Sequence, residues 1–167
     1  MHEDEAAFRR VYERTAPRLR AYLHLAVRDS ALADDVLQEA YYRLLRADMS
    51  DAAIGKVRSY LYKTVRTLVA DHGRSVGRER RHRQRWSSPV SESPRHDLTL
   101  DMERLFARLS KREQMLLWLA HVEGASHREI AGSMGIGENS VRVVLYRARR
   151  RLAGILECHG WGPEDVR

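Results

Sequence analysis

Apolar residues recur three and four positions apart along most of this chain, the period of amphipathic helices. Phe8, Val11, Tyr12, Leu19, Tyr22 and Leu23 trace a first helix, which Pro17 interrupts or kinks near its middle. Asp29 and Ser30 offer an N-cap for a second helix. Its broad apolar stripe is Leu32, Val36, Leu37, Ala40, Tyr41, Leu44 and Leu45. Residues 48–56 are polar with one glycine and read as a loop. A third helix is expected from about Val57 to Asp71, with Leu61, Val65, Leu68 and Val69 turned inward.

The pattern then changes character. Gly73 and Gly77 bracket a basic tract containing Arg74, Arg78, Arg80, Arg81, Arg83 and Arg85, with Glu79 its one acid. After Trp86 the chain reads SSPVSESPRHD, whose prolines and serines mark a flexible linker. Helical periodicity resumes near Leu98 with Leu100, Leu105, Phe106 and Leu109. The expected organisation is a first unit at 1–85, a linker at 86–97 and a second unit at 98–167. Strand-like alternation is missing throughout, so the expected fold class is all-α, two small helical domains joined by a flexible linker.

Two capping boxes punctuate the second unit. Ser110-Lys111-Arg112-Glu113 opens a helix rich in Met115, Leu116, Leu117, Trp118 and Leu119, which Glu123-Gly124 ends. Ser126-His127-Arg128-Glu129 opens the next. That helix begins a helix-turn-helix. Ala131 is small where two helices cross, and Gly135 permits a left-handed turn that other residues resist. Ile130, Met134, Ile136, Val141 and Val144 fill the space between the two helices. The second helix, about Glu138 to Leu152 with Gly137 at its N-cap, has the form that enters a DNA major groove. Asn139, Ser140, Arg142, Val143 and Tyr146 are candidates for base edges or nearby phosphates. Arg147, Arg149, Arg150 and Arg151 suit phosphate.

Charge and composition support a polyanionic partner. The 167 residues carry a formal net charge of +7, and Lys occurs only at Lys56, Lys63 and Lys111. Arginine forks match phosphate and guanine edges better than a point charge does. Cys158 is the lone cysteine, which leaves no intrachain disulfide or multi-cysteine zinc site and suits a reducing, cytoplasmic compartment. The acidic, polar N-terminus does not read as a signal peptide, and no apolar run has the length of a membrane span. Cys158-His159 could suggest a nucleophile and base, but neighbours on a helix diverge by about 100° and no orienting group lies nearby in sequence. His72, His82, His96, His121 and His127 lack metal-ligand spacing. Neither an enzyme nor a cofactor is expected.

The first unit adds a second nucleic-acid signature. Val57–Arg74 reads VRSYLYKTVRTLVADHGR, in which Tyr60, Tyr62, Lys63, Arg66 and Thr67 set rings beside cations, as single-stranded DNA requires. The order of segments resembles bacterial RNA polymerase sigma factors of the extracytoplasmic-function (ECF) group: an Asp-Asp-x-x-Gln-Glu helix, a Tyr-Leu-Tyr-Lys helix running into Asp-His and arginines, a linker, then the helix-turn-helix. The resemblance spans roughly Phe8 to Leu152. It implies that Asp34, Asp35, Gln38 and Glu39 dock core RNA polymerase. It implies that Tyr60, Tyr62, Lys63, Arg66, Thr67 and Arg74 bind and melt the minus-ten promoter element, with residues 48–56 forming a pocket for a flipped-out base. By the same resemblance, the linker threads toward the polymerase active-site channel, and Glu138–Arg151 reads the minus-thirty-five element. The partners implied are core polymerase, promoter DNA and an anti-sigma factor, often membrane-anchored in this group.

Four departures alter the expected base preference. Tyr60 stands where the family commonly has Trp, and Thr67 where it has Asn. Val143 and Val144 replace residues that are often Ser and Arg. A self-sufficient helix-turn-helix regulator, with N-terminal helices that dimerise or sense a ligand, is the competing expectation. The tail from Glu157 to Arg167 extends past the family pattern and reads as a disordered end or as a segment packed on the second unit through Trp161.

Overall fold

The computed structural model describes residues 2–49, 52–83 and 98–161. Among these residues it contains helices α1 (His2–Val27), α2 (Ser30–Arg46), α3 (Ile54–Arg83), α4 (Leu98–Ala107), α5 (Lys111–His121), α6 (His127–Met134) and α7 (Glu138–Glu157), and no strand. The all-α expectation is met. None of these helices is long and apolar enough to cross a membrane.

Local chemistry accounts for most boundaries. Asp29 caps α2 by accepting from the Leu32 amide at 3.1 Å. Both expected capping boxes close: the Ser110 and Ser126 hydroxyls accept from the amides of Glu113 and Glu129, whose carboxylates accept from the amides of Ser110 and Ser126. Gly135 ends α6 at φ +64, in the left-handed region. A Cβ there would also lie 3.2 Å from an Arg66 guanidinium nitrogen. Gly135→Ala should therefore destabilise the chain by roughly 1–2 kcal/mol, the usual penalty of that backbone region for an L-residue. Urea unfolding checks this, and an unchanged midpoint would show that the turn relaxes.

Three expectations need correction. Of the two readings of Pro17, interruption is not met: α1 runs through the proline, which sits near its middle. Its neighbours Ala16 and Leu19 are buried, so packing offsets the lost backbone hydrogen bond. The third helix begins three residues early, at Ile54, and continues through Gly73 and Gly77 to Arg83. A helical glycine costs only about 1 kcal/mol relative to alanine, and the arginines around these two are good helix formers. Leu45, placed on the inward stripe, is 56% exposed. The proposed linker 86–97 lies outside the described residues, as does the tail beyond residue 161. The last helix reaches Glu157, five residues past the expected end, and the Trp161 amide donates to the Leu156 carbonyl, so the tail is ordered this far.

The buried core is shared by both halves of the chain. Leu19, Leu23, Leu37, Leu61 and Val65 belong to one cluster with Met115, Leu119, Ile130, Val141 and Leu145. A satellite cluster of Leu109, Leu117 and Ala148 joins α5 to α7 and to the turn after α4. Gln114 is fully buried and donates to the carbonyls of Phe106 and Leu109, which fixes the corner between α4 and α5.

Candidate nucleic-acid interface and the face that closes on it

Helix α7 presents an open polar face. Val141, Leu145 and Ala148 are buried, at the spacing of one inward stripe. Val144 is half-buried against the core, as its packing position required. Asn139, Ser140, Arg142, Val143, Tyr146, Arg147, Arg149 and Arg150 are all exposed. Val143 and Tyr146 are 49% and 59% exposed, large side chains turned to solvent. Arg150 donates to the Tyr146 hydroxyl at 3.3 Å and Arg149 to His121 at 3.2 Å, which pre-orders two cations beside the ring. An exposed valine flanked by Arg142 and Tyr146 can meet a thymine methyl while the cations meet phosphate.

The acidic face of α2 is also open. Val36, Leu37, Ala40 and Leu44 are buried, which turns Asp34, Asp35 and Gln38 to solvent. Asp34 lies 3.8 Å from both Arg20 and His24, and Glu39 pairs with Arg43 at 2.6 Å. Asp35 and Gln38 make no such pair among the described residues. Two unpaired polar side chains one helical turn apart suit contact with another protein.

The candidate residues on α3 fall on two faces. Tyr60 is half-buried, with its hydroxyl donating to the Arg43 carbonyl at 3.3 Å, and Lys63, Thr67 and Arg74 are exposed. This face is available to DNA. Thr67 donates to the Lys63 carbonyl, and Arg74 pairs with Asp71 at 3.2 Å. Tyr62 and Arg66 point the other way. Tyr62, expected to stack on bases, is 1% exposed, and in this arrangement it is a core residue. Its hydroxyl donates to the Glu123 carboxylate at 2.8 Å and accepts from the Trp118 indole at 2.9 Å. Burial, reinforced by the Glu123 charge, pushes the Tyr62 phenol well above its ordinary pKa. Trp118 and Tyr62 both pack on Tyr22, so Trp118 is a packing residue as expected. Arg66 donates to the Met134 carbonyl at 2.6 Å, at the end of α6.

Sequence reasoning missed the residues that complete this face. Arg58 donates through one nitrogen to the Glu123 carbonyl at 3.1 Å and through the other to the Glu129 carboxylate at 2.6 Å. The first nitrogen also lies 3.5 Å from the Glu123 carboxylate, which Arg18 approaches at 3.7 Å. The Ser59 hydroxyl donates to the Glu129 carbonyl at 3.0 Å. Burial raises the Glu129 carboxyl, but the Ser126 amide and the Arg58 guanidinium more than offset this and hold it below its ordinary value. Gly55 permits the approach, since a Cβ there would fall 2.2 Å from a Glu129 carboxylate oxygen. One signal was legible. Positions three and four away from Arg58 are Ile54, Gly55, Leu61 and Tyr62, so a paired Arg58 needs an acid from elsewhere in the chain.

Catalytic and metal geometries are not assembled among the described residues. They include no cluster of three or more His, Cys, Asp or Glu able to hold a metal. Cys158 is exposed, and His159 is engaged by the Ile155 carbonyl and by Arg108.

Residues 11–79 match the family described as Sigma-70 region 2, and residues 99–152 match Sigma-70, region 4. The chain is 33% identical over 150 residues to the probable ECF RNA polymerase sigma factor SigI of Mycobacterium tuberculosis, covering 80% of this chain and 51% of that protein. It thus spans about half the length of that relative. It is 30% identical to the ECF RNA polymerase sigma factor BldN of Streptomyces coelicolor, covering 96% of this chain and 62% of that one. To SigD of Mycobacterium bovis it is 30% identical over 162 residues, covering 89% of this chain and 76% of the relative. A solved structure, the sigma factor RpoE of Bartonella quintana in complex with the anti-sigma factor NepR, has the same fold. Its TM-score is 0.70 at 22% identity, covering 90% of this chain and 96% of that one. With both regions matched in order, and relatives alike across most of its length, this chain belongs to the ECF sigma factors of RNA polymerase.

Proposed function

We propose that the chain binds core RNA polymerase and directs it to promoters, reading two DNA elements and helping to melt one of them. The observation that carries this reading is the exposed face of α7, Asn139, Arg142, Val143, Tyr146 and Arg150, held on a capped helix-turn-helix. In this reading residues 1–85 contact polymerase and the minus-ten element, residues 86–97 link, and residues 98–167 read the minus-thirty-five element. Asp34, Asp35, Gln38 and Glu39 dock polymerase. Tyr60, Lys63, Thr67 and Arg74 contact the minus-ten strand from the open face of α3, and Tyr62 and Arg66 join them only when α5 and α6 leave. Holding unpaired bases better than paired ones offsets the few kcal/mol needed to unstack each base. Bond-making chemistry remains with the polymerase, and the site of action is the cytoplasm. An anti-sigma factor is the expected regulator, by likeness to the complex of RpoE with NepR.

Run-off transcription with core polymerase over a promoter library tests this reading. Asp35→Ala with Gln38→Ala should weaken holoenzyme assembly at least tenfold, read by competition for core polymerase, while helical content stays unchanged. Assembly at the normal affinity would remove α2 from the interface. Tight binding to a palindromic duplex without polymerase would instead favour a self-sufficient regulator.

A further inference from the structure

Where α1, α2, α3, α5 and the turn after α6 meet, the described residues enclose a cleft of about 640 Å³. Small-molecule sites typically have volumes of roughly 300–1,000 Å³. The walls are mostly apolar: Tyr22, Val27, Leu32, Val69, Met115 and Ile136 line them. The charged groups are all of one sign. Arg66, Lys111 and Arg112 line the cleft beside the His72 imidazole, and no described Asp or Glu does. No residue of α7 lines it either, so the cleft is separate from the candidate DNA face of that helix.

These cations are poorly supplied with acceptors. Arg43, Arg58 and Arg74 each meet a carboxylate elsewhere in the fold. Arg66 instead donates one nitrogen to the Met134 carbonyl, and its buried Nε has no partner among the described residues. Lys111 donates to the Ala26 carbonyl and lies 3.5 Å from the Gln114 side-chain oxygen, both uncharged acceptors. Arg112 is exposed, with no ion pair among the described residues. Burial and the nearby Arg28 hold the Lys111 ammonium below its ordinary pKa. An anion in the cleft would supply the countercharge that the chain itself does not.

We propose that this cleft binds a small amphipathic carboxylate, its apolar body against Leu32, Val69, Met115 and Ile136 and its acid group toward Arg66, Lys111 and Arg112. The planar carboxylate matches the parallel donors of a guanidinium, and the apolar walls favour one small anionic head on a hydrocarbon body over a fully hydrated anion. The site is independent of the sigma-factor reading.

The test titrates the full chain calorimetrically with decanoate below its micellar concentration. One decanoate should bind per chain with a Kd tighter than about 0.1 mM, within reach of a ligand this small. Neutral 1-decanol and inorganic phosphate should each bind at least tenfold more weakly. Lys111→Gln with Arg112→Gln should weaken decanoate at least fivefold. Because that pair stands at the start of α5, a second variant keeps the fold and blocks the space. A Cβ on Gly73 meets no atom within 4 Å, and leucine is the better helix former, so Gly73→Leu fills the cleft without straining α3. It should weaken decanoate at least tenfold with an unchanged circular dichroism spectrum. The cleft takes residues from both halves of the chain, so saturating decanoate should raise the thermal midpoint of the parent and leave that of Gly73→Leu in place. Three results would overturn the proposal. Decanol binding within twofold of decanoate would mean that the cations do not select an anion. Phosphate binding equally well would mean that charge alone attracts the ligand. Undiminished binding to Gly73→Leu would place the decanoate elsewhere on the basic surface.

Discussion

Leu119→Ala should lower stability by about 2–5 kcal/mol and the thermal midpoint by roughly 5–15 °C. Leu119 is fully buried on α5 and shares one cluster with Leu23 of α1, Leu61 of α3 and Ile130 of α6. Truncation removes the transfer free energy of the lost carbons and leaves a cavity that four helices would have to move to close. Because the cluster is common to both halves of the chain, the loss should appear in a single cooperative transition. Far-UV circular dichroism during heating checks both points. A fall below about 2 °C would mean that the site collapses around the alanine, and two separated transitions would mean that the halves do not share a core.

Arg58→Ala should lower stability. It removes the cation between the Glu123 and Glu129 carboxylates, whose side chains are 6% and 22% exposed. Removing one partner of a buried ion pair typically costs about 3–5 kcal/mol. The lower end applies here, because a fifth of the Arg58 side chain meets water and Arg18 remains near Glu123. The folded chain should therefore lose about 3 kcal/mol in urea unfolding. Arg58→Lys should resemble the alanine variant more than the parent: one ammonium group cannot donate to both glutamates as the guanidinium fork does. A urea midpoint unchanged in the alanine variant would show that these contacts do not hold the two halves together.

Local signals and long-range ones fared differently. The capping boxes at Ser110 and Ser126, the Asp29 cap and the left-handed Gly135 were all legible, because each is decided by residues within four positions. The same holds for the α7 face, where the 3.6-residue period separates Val141, Leu145 and Ala148 from the exposed cations. Breaker rules were over-read at Pro17, Gly73 and Gly77, where packing or neighbouring helix formers outweighed a local penalty. The burial of Tyr62 was missed for another reason. Aromatic rings next to cations suggested a stacking surface, but Tyr62 stands beside Leu61 and three before Val65, on the flank of a buried stripe. Its partner Glu123 lies 61 positions away, and no local pattern could supply it.

The two faces of α3 also bear on how such a chain can diverge. Tyr60, Lys63 and Thr67 point away from Arg58, Tyr62 and Arg66, so substitutions on one side of the helix leave the other's geometry intact. In the sigma-factor reading proposed above, promoter preference can therefore drift after gene duplication while the inward contacts stay as they are. Tyr60 and Thr67 already depart from common family choices, with the inward contacts fully assembled. A duplicated copy could acquire a new set of target genes without first losing its fold.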